Sequence, residues 1–260
     1  LIHSTAIIHP TAIIGENVTI GPFSIIEENV KIGNGCKIES HVLIGSHTTI
    51  GEENHIFQGA IIGSFPIDRT HKGQETYLSI GNNNIVREYT TISKGTVKGG
   101  GMTRIGDDNW IMSIVHIGHD VVIGNQSTIT GNVQIAGHVE IEDNVTIGGS
   151  ATIHQFCKIG RFSMIGAASF INLDIVPYSI ASGYRAKICG INLVGLKRNG
   201  MTNDDIKTIK RINTLLFRKK LPLAQAIEEI HNLPQSMFKE HTLAFLNKSE
   251  RGIARMRGSK

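Results

Sequence analysis

"IIGENVTIGPFSIIEENVKI" (residues 13–32) repeats itself every six residues: Ile14, Ile20, Ile26 and Ile32 stand in register, and a glycine follows three of them, at Gly15, Gly21 and Gly33. Isoleucine holds this phase from Ile2 to Ile62 without a substitution. The phase continues at Ile80, Val86 and Ile92, slips by one, and resumes from Ile105 to Ile171. Two excursions, residues 63–79 and 93–104, interrupt it. A period of six is neither helical nor an indefinite two-residue alternation, but it fits a parallel β-helix. Each hexad supplies a short strand and a corner, and three hexads close a triangular coil. Coils then stack at the spacing of paired strands, about 4.8 Å, with the isoleucines as the dry interior. The glycine after each isoleucine reads as a corner residue chosen for its permissive φ. The period leaves the winding hand open.

After Ile171 the texture changes. Thr202 followed by Asp205 resembles a capping box, and Ile206, Ile209, Ile212 and Leu216 fall at helical spacing. Pro222 and Pro234 suit the first turns of two further helices, the first with an apolar stripe of Leu223, Ile227 and Ile230. The expected organisation is an all-β solenoid over residues 1–194 followed by an α-helical module over 195–260.

The net charge of +4 on 260 residues conceals an asymmetry. From residue 195 onward there are 14 Lys and Arg against 6 Asp and Glu, which leaves the solenoid acidic. A solvated helical face is the ordinary explanation of such charge, and an acidic macromolecular partner is the other. Nucleic acid is not expected, because no aromatic–basic interleaving or recognition motif occurs. No apolar run is long enough for a stable membrane insertion, and the hexads start at Ile2 with no leader pattern, so a cytoplasmic protein is expected. Cys36, Cys157 and Cys189 show no metal or disulfide spacing and read as small buried hydrophobes.

Coil arithmetic locates a candidate site. Residues eighteen apart are neighbours, so Ile117, Ile135, Ile153 and Ile171 stack, and the groups beside them share a ridge. These are His116, His119 and Asp120, then Gly137 and His138, then His154 and Gln155. The other histidines, His3, His9, His41, His47, His55, His71, His231 and His241, read as surface residues. Two chemistries suit the ridge. Three imidazoles can bind zinc, as in β-helical carbonic anhydrases, or one histidine beside a carboxylate can act as a general base. The adjacency of His119 and Asp120 favours the second, because a carboxylate fixes the tautomer and stabilises the imidazolium. With no serine or cysteine paired as a nucleophile, direct transfer is the simpler course. The backbone beside Gly137 can approach a substrate closely and stabilise an oxyanion.

Together with the hexads, the ordered segments "REYTTISKGTVKGGG", "HIGHD", "AGHV", "HQFC", "GINLVGLKR" and "SERGIAR" resemble the UDP-N-acetylglucosamine 3-O-acyltransferase family, which begins lipid A biosynthesis in Gram-negative bacteria. The resemblance spans essentially the whole chain. It implies a left-handed parallel β-helix with a C-terminal helical domain, a homotrimer with active sites between subunits, and no metal or other cofactor. The implied reaction moves an (R)-3-hydroxyacyl chain from acyl carrier protein to the sugar 3-hydroxyl. By resemblance, His119 is the general base, Asp120 its orienting partner and Gly137 the oxyanion donor. Asp68, His116, His138, His154, Gln155, Asn192 and Arg198 match positions that line the acceptor or pantetheine site. Ala167, with Met164 as its alternative, stands at the acyl-length ruler. The basic module acquires acyl carrier protein as its acidic partner, through Lys210, Arg211, Arg218, Lys219 and Lys220, with Lys158 and Arg161.

Four positions depart from the family pattern: Thr70, Ser93, Val194 and Asn199 replace Lys, His, Glu and Arg. They open a second reading of the acceptor, a 3-amino sugar nucleotide giving an amide. Other readings weighed against the resemblance are the N-acyltransferase later in the same pathway, which carries an extra N-terminal domain, and an acetyl-CoA-dependent sugar acetyltransferase. A zinc carbonic anhydrase and a catalytically inert scaffold complete the set.

Overall fold

The computed structural model describes residues 1–256, so the last four residues of the expected helical module lie outside the described residues. The described hexads form three parallel walls of nine, eight and ten strands, most of them two residues long. Wall one runs from Ile7–Ile8 to Phe170–Ile171 and wall two from Ile13–Ile14 to Lys158–Ile159. Wall three runs from Thr19–Ile20 to Lys187–Ile191. Register follows the coil: Ile117 pairs with Ile135, Ile135 with Ile153, and Ile153 with Ile171.

Each hexad sends two side chains inward. The strand isoleucine is one, and a smaller residue two positions before it is the other, as in Val18, Val30, Val42 and Ala60. Cys36 and Cys157 occupy that smaller position and are buried as expected, whereas Cys189 is exposed. Several polar residues there are satisfied along the stack, although the buried Thr48 hydroxyl has no partner. Asn54 accepts from the Asn84 amide, Asn84 from the Asn109 amide and Asn109 from the Ser127 amide, each at 2.9 Å. A buried polar ladder of this kind avoids the cost of leaving amides unpaired.

The corner glycines serve a different purpose from the one expected. Gly15, Gly21 and Gly33 do not have positive φ. The left-handed conformation falls three residues after each isoleucine, at Asn17, Phe23, Asn29 and their successors. What excludes a side chain at Gly33 is stacking: a Cβ there would lie 2.6 Å from the backbone of Gly51 on the next coil.

The excursions leave from one edge. Ile50 pairs with Ile80 and Ile80 with Ile105, separations of 30 and 25 residues where an uninterrupted coil has 18. The first insertion is two whole hexads and the second one hexad plus a residue, which is why only the second shifts the phase. Wall strands take up part of both excursions, at Ile61–Ser64, Tyr77–Ile80, Thr91–Ser93 and Met102–Ile105. What projects is shorter, and in both cases it leaves the corner between walls one and two.

Beyond Ile171 the coil continues without the six-residue phase, Pro177 and Gly183 standing where the next isoleucines would fall. Ile175 bridges to Ile159, Ala181 pairs with Ile165, and Lys187–Ile191 returns antiparallel to close the end. Four helices follow: α1 (Leu193–Arg198), α2 (Asn203–Phe217), α3 (Leu223–His231) and α4 (Met237–Lys248). The Thr202–Asp205 capping box of α2 is formed, and Ile206, Ile209 and Ile212 are buried against Phe162 and Tyr178. Pro222 sits one residue before α3. Pro234 is not in a first turn, because α4 is capped by Ser236. Of the α3 stripe, Ile230 is buried and Leu223 is exposed, with Ala226 filling the core instead. The last described residues form a strap, Asp174 pairing with Ile253 and Ile188 with Met256. Among the described residues no helix is long and apolar enough to cross a membrane.

Candidate active site

Residues 118–121, 136–139 and 154–157 are successive coils of the same corner, between walls one and two. On this corner Asp120, His138 and Phe156 occupy the left-handed position, with φ of 60°, 60° and 64°. Asp120 is buried, and His119 Nδ1 donates to its Oδ2 at 2.8 Å. The second excursion supplies what holds the carboxylate: Thr96 donates its amide to Oδ1 at 2.7 Å and its hydroxyl to Oδ2 at 2.6 Å. The Asp120 amide in turn donates to Thr103 Oγ1 at 2.8 Å. Burial works to raise the Asp120 pKa. The hydrogen bonds from His119 and Thr96, helped by nearby His138, outweigh it and hold the carboxyl below its ordinary value. With Nδ1 committed to Asp120, Nε2 of His119 is the ring nitrogen left to take a proton.

Gly137 admits the His119 ring. A Cβ on Gly137 would lie 2.6 Å from His119 Cε1. The Gly137 amide has no acceptor among the described residues. The corresponding amides of Glu16, Glu52, Asp107 and Asn125, two residues after their isoleucines on the neighbouring corner, each donate to an Asn or Asp side chain of the next coil. An unpaired backbone donor beside an oriented imidazole is an oxyanion-type arrangement.

The four histidines are not equivalent. His138 meets His119 edge-on, ring centroids 5.0 Å apart, with its Nε2 3.8 Å from Asp120 Oδ2. Burial lowers its pKa, with His119 adding and Asp120 and Asp68 opposing. His116 Nδ1 is hydrogen-bonded to Thr91 Oγ1 at 2.8 Å, and burial, with His119 contributing, lowers its pKa too. His154 bonds the Gln155 carbonyl at 3.1 Å, while the Gln155 side chain is exposed. Ligand-type atoms of His119, Asp120 and His138 lie within 4.8 Å of one another. The geometry thus gathers two imidazoles and a carboxylate, of which His119 and Asp120 are hydrogen-bonded to each other while His138 stands 3.8 Å from the carboxylate. The three-imidazole set of a zinc site is not assembled, because His116 and His154 are not part of this group.

Asp68 reaches the same corner on the first excursion. Its carboxyl is held low mainly by hydrogen bonds from Thr70, with the charges of His119 and Lys98 adding. Asn192 is elsewhere and already occupied: it caps α1 by accepting from the Gly195 amide, and it donates to the Phe162 carbonyl at 2.9 Å. Arg198 is exposed on α1. Met164 lies on wall three and Ala167 at the corner between walls three and one, so neither shares an edge of the chain with His119. Lys210, Arg211, Arg218, Lys219 and Lys220 are exposed on or just beyond α2. Lys158 is paired with Glu140, and Arg161 packs over Phe162 with its Nε buried and unpaired. Of the departing positions, Thr70, Val194 and Asn199 are exposed, whereas Ser93 is buried and hydrogen-bonded to Ser64.

Sequence reasoning missed Thr96, Thr103 and Phe156. Thr96 lies outside the hexad register, in the excursion, and only its return to the same corner brings it to Asp120. Thr103 holds the inward position two residues before Ile105, on the strand where the excursion rejoins wall two. Two histidines read as surface groups are not: His71 is buried with Nδ1 unpaired, and His241 bridges Tyr178 and Glu142.

Stacked hexads with an imidazole–carboxylate pair on one corner place the molecule among the bacterial hexapeptide transferases, whose repeat model matches residues 11–46, 23–58 and 102–137. The second-domain model of UDP N-acetylglucosamine O-acyltransferase matches residues 174–254. The acyl-carrier-protein-dependent UDP-N-acetylglucosamine O-acyltransferase of Thermodesulfovibrio yellowstonii is 47% identical over 98% of this chain and 99% of its own. That of Paracidovorax citrulli is 49% identical over 98% and 99%. The UDP-N-acetylglucosamine acyltransferase structure from Francisella novicida superposes with a TM-score of 0.97 at 40% identity, covering 99% of this chain and 95% of that one. The Moraxella catarrhalis structure gives 0.96 at 42%, covering 98% and 99%. The chain belongs to the UDP-N-acetylglucosamine O-acyltransferase family, and its solenoid is the left-handed parallel β-helix of that family.

Proposed function

We propose that the protein transfers an (R)-3-hydroxyacyl chain from the thioester of acyl carrier protein to the 3-hydroxyl of UDP-N-acetylglucosamine, the first step of lipid A biosynthesis, in the cytoplasm. The observation that carries this reading is the Thr96–Asp120–His119 relay beside the open Gly137 amide. The sugar hydroxyl gives its proton to His119 Nε2 as its oxygen attacks the thioester carbonyl. The tetrahedral oxyanion accepts a hydrogen bond from the Gly137 amide. Collapse breaks the C–S bond, and the imidazolium returns the proton to the departing thiolate, so no covalent enzyme intermediate forms. Asp68, His116, His138, His154 and Gln155 line the acceptor and pantetheine region. Arg198 provides a guanidinium fork for phosphate. Asn192 acts there by shaping the turn that carries α1.

The active form is a homotrimer with the cleft between copies. In one chain Ala167 and Met164, the acyl-length ruler, are on other edges from His119, so a second copy supplies them. The exposed apolar residues Ile85, Trp110, Tyr89 and Ile114 on wall three and its corner with wall one support such contacts. The exposed basic residues around the end of α2 steer the acidic carrier protein.

The test is incubation of the purified protein with UDP-N-acetylglucosamine, its 3-amino analogue and a series of hydroxyacyl carrier proteins of different chain length, read by mass spectrometry. An ester on the N-acetylglucosamine nucleotide is expected. Exclusive amide formation on the amino sugar overturns the acceptor assignment, and no transfer to either overturns the reaction.

A further inference from the structure

Phe156 completes the column Asp120, His138, Phe156 at the left-handed corner position, yet the chemistry derived so far does not use it. Its residue is 43% exposed, so it is not there to fill the core. The left-handed conformation is the solenoid's ordinary corner geometry, which Phe23, Tyr89 and Phe162 also adopt, so what sets Phe156 apart is the ring it lies against. The ring lies face to face with His138, centroids 4.5 Å apart and planes within 6°. On its other side His138 meets His119 at 87°. The Phe156 amide donates to the Gly137 carbonyl at 3.2 Å, so the residue that carries the open amide also anchors the backbone of the stacked ring.

We propose that Phe156 is a positioning residue: by stacking on the open face of His138 it holds that imidazole edge-on to His119, with Nε2 directed at Asp120. The proposal rests on His119 being the general base. Without the ring, one face of His138 meets water and its side-chain torsions are released. The ionisable groups facing it are Asp120 and Asp68, which favour the imidazolium, and His119, which opposes it; Lys98 lies beyond Asp68. All of these stay in place when the ring is removed. Hydration then favours the charged form, so His138 titrates at higher pH than in the intact protein.

The experiment compares wild type, Phe156→Leu and Phe156→Tyr in the full chain, by histidine-selective NMR titration and by steady-state kinetics with UDP-N-acetylglucosamine and hydroxyacyl carrier protein. Phe156→Leu is expected to abolish the ring-current shift of the His138 carbon-bound protons and move its titration upward. It is also expected to lower kcat about 3- to 10-fold, the scale of one aromatic stack, with KM changed less. Phe156→Tyr, which keeps the flat face, is expected to restore both. An unchanged His138 spectrum in Phe156→Leu, or equal behaviour of the Leu and Tyr variants, overturns the proposal. If the spectra respond as expected but wild type transfers no acyl group, the positioning role stands and the functional reading fails. If wild type is active and Phe156→Leu slows it without altering His138, the functional reading stands and the positioning role fails.

Discussion

Two corners of the prism share one backbone and differ in what they leave open. Between walls two and three, the outward amides of Glu16, Glu52, Asn82, Asp107 and Asn125 are closed by an Asn or Asp side chain from the adjacent coil. Between walls one and two, the Gly137 amide is left without an acceptor among the described residues. The left-handed position is held by Asn17, Gly35, Glu53 and Asn83 on the first corner, and by Asp120, His138 and Phe156 on the second. The difference teaches that the repeat itself is chemically neutral. A site arises where the side-chain ladder is withheld, so that backbone donors and imidazoles face the same space, and where excursions bring Thr96 and Asp68 over the edge.

The severest break of this contrast is His119→Ala. General-base catalysis contributes about 10²- to 10⁴-fold, so kcat falls by that order while circular dichroism and the melting temperature stay near wild type. Asp120→Asn comes next. A hydrogen bond to a charged group contributes about 1.5–3 kcal/mol, so its loss costs about 10- to 100-fold in kcat/KM. The pH profile sharpens the point. Burial disfavours the imidazolium of His138 and His116, so both take protons only below the ordinary histidine range near 6.5. The acid limb contributed by these two groups is therefore expected below that value, and a limb from either at higher pH contradicts the burial described here. The Asp120 carboxyl is depressed in the fold, so its stabilising contribution is complete above its unfolded pKa. That contribution is lost as pH falls through the folded value.

Much of this was legible in the residues, because six-residue spacing fits a parallel β-helix and, whichever its hand, fixes which side chains stack. Ile117 over Ile135 over Ile153 followed from arithmetic alone, and with it the proximity of His119 to Gly137 and His138. The excursions were not legible in this way. Their phase in the sequence shows that they are inserted, but nothing in the spacing says that Thr96 folds back onto Asp120. Asn192 was also not legible in spacing: its place comes from a matching position, and the fold shows its side chain capping α1 and bonded to the Phe162 carbonyl. Met164 and Ala167 lie on other edges from His119, and a coil seen alone gives no reason to relate them.

Paired glycine substitutions separate the corners directly. Gly137→Ala places a methyl against His119 Cε1, the end of a side chain that can swing away from Asp120. Gly33→Ala places one against the Gly51 backbone, which cannot. Overpacking against fixed atoms costs about 1–3 kcal/mol. Denaturant titration is expected to show that loss for Gly33→Ala, with activity per folded molecule nearly retained. For Gly137→Ala the order reverses, with a small stability change and at least a tenfold loss of turnover. Equal losses in both assays for both variants would mean that the two corners are not functionally distinct.

The smallest expected effect concerns charge. The ladder corner is rich in carboxylates, among them Glu16, Glu52, Asp107 and Asp143, whereas Arg218, Lys219 and Lys220 stand exposed after α2. An acidic carrier protein is repelled by the first region and drawn to the second, and mobile ions weaken both effects, since the Debye length falls from about 10 Å at 0.1 M salt to about 3 Å at 1 M. The KM for the carrier thioester is therefore expected to rise a few-fold over that range while the KM for the sugar nucleotide changes less. Reversing Arg218 and Lys219 to Glu gives the same rise at low salt and removes most of the remaining salt dependence. Lys158→Gln changes little by comparison, because Glu140 already neutralises that ammonium. If Lys158→Gln matched the double reversal, the docking face would lie on wall two and not on the helical module.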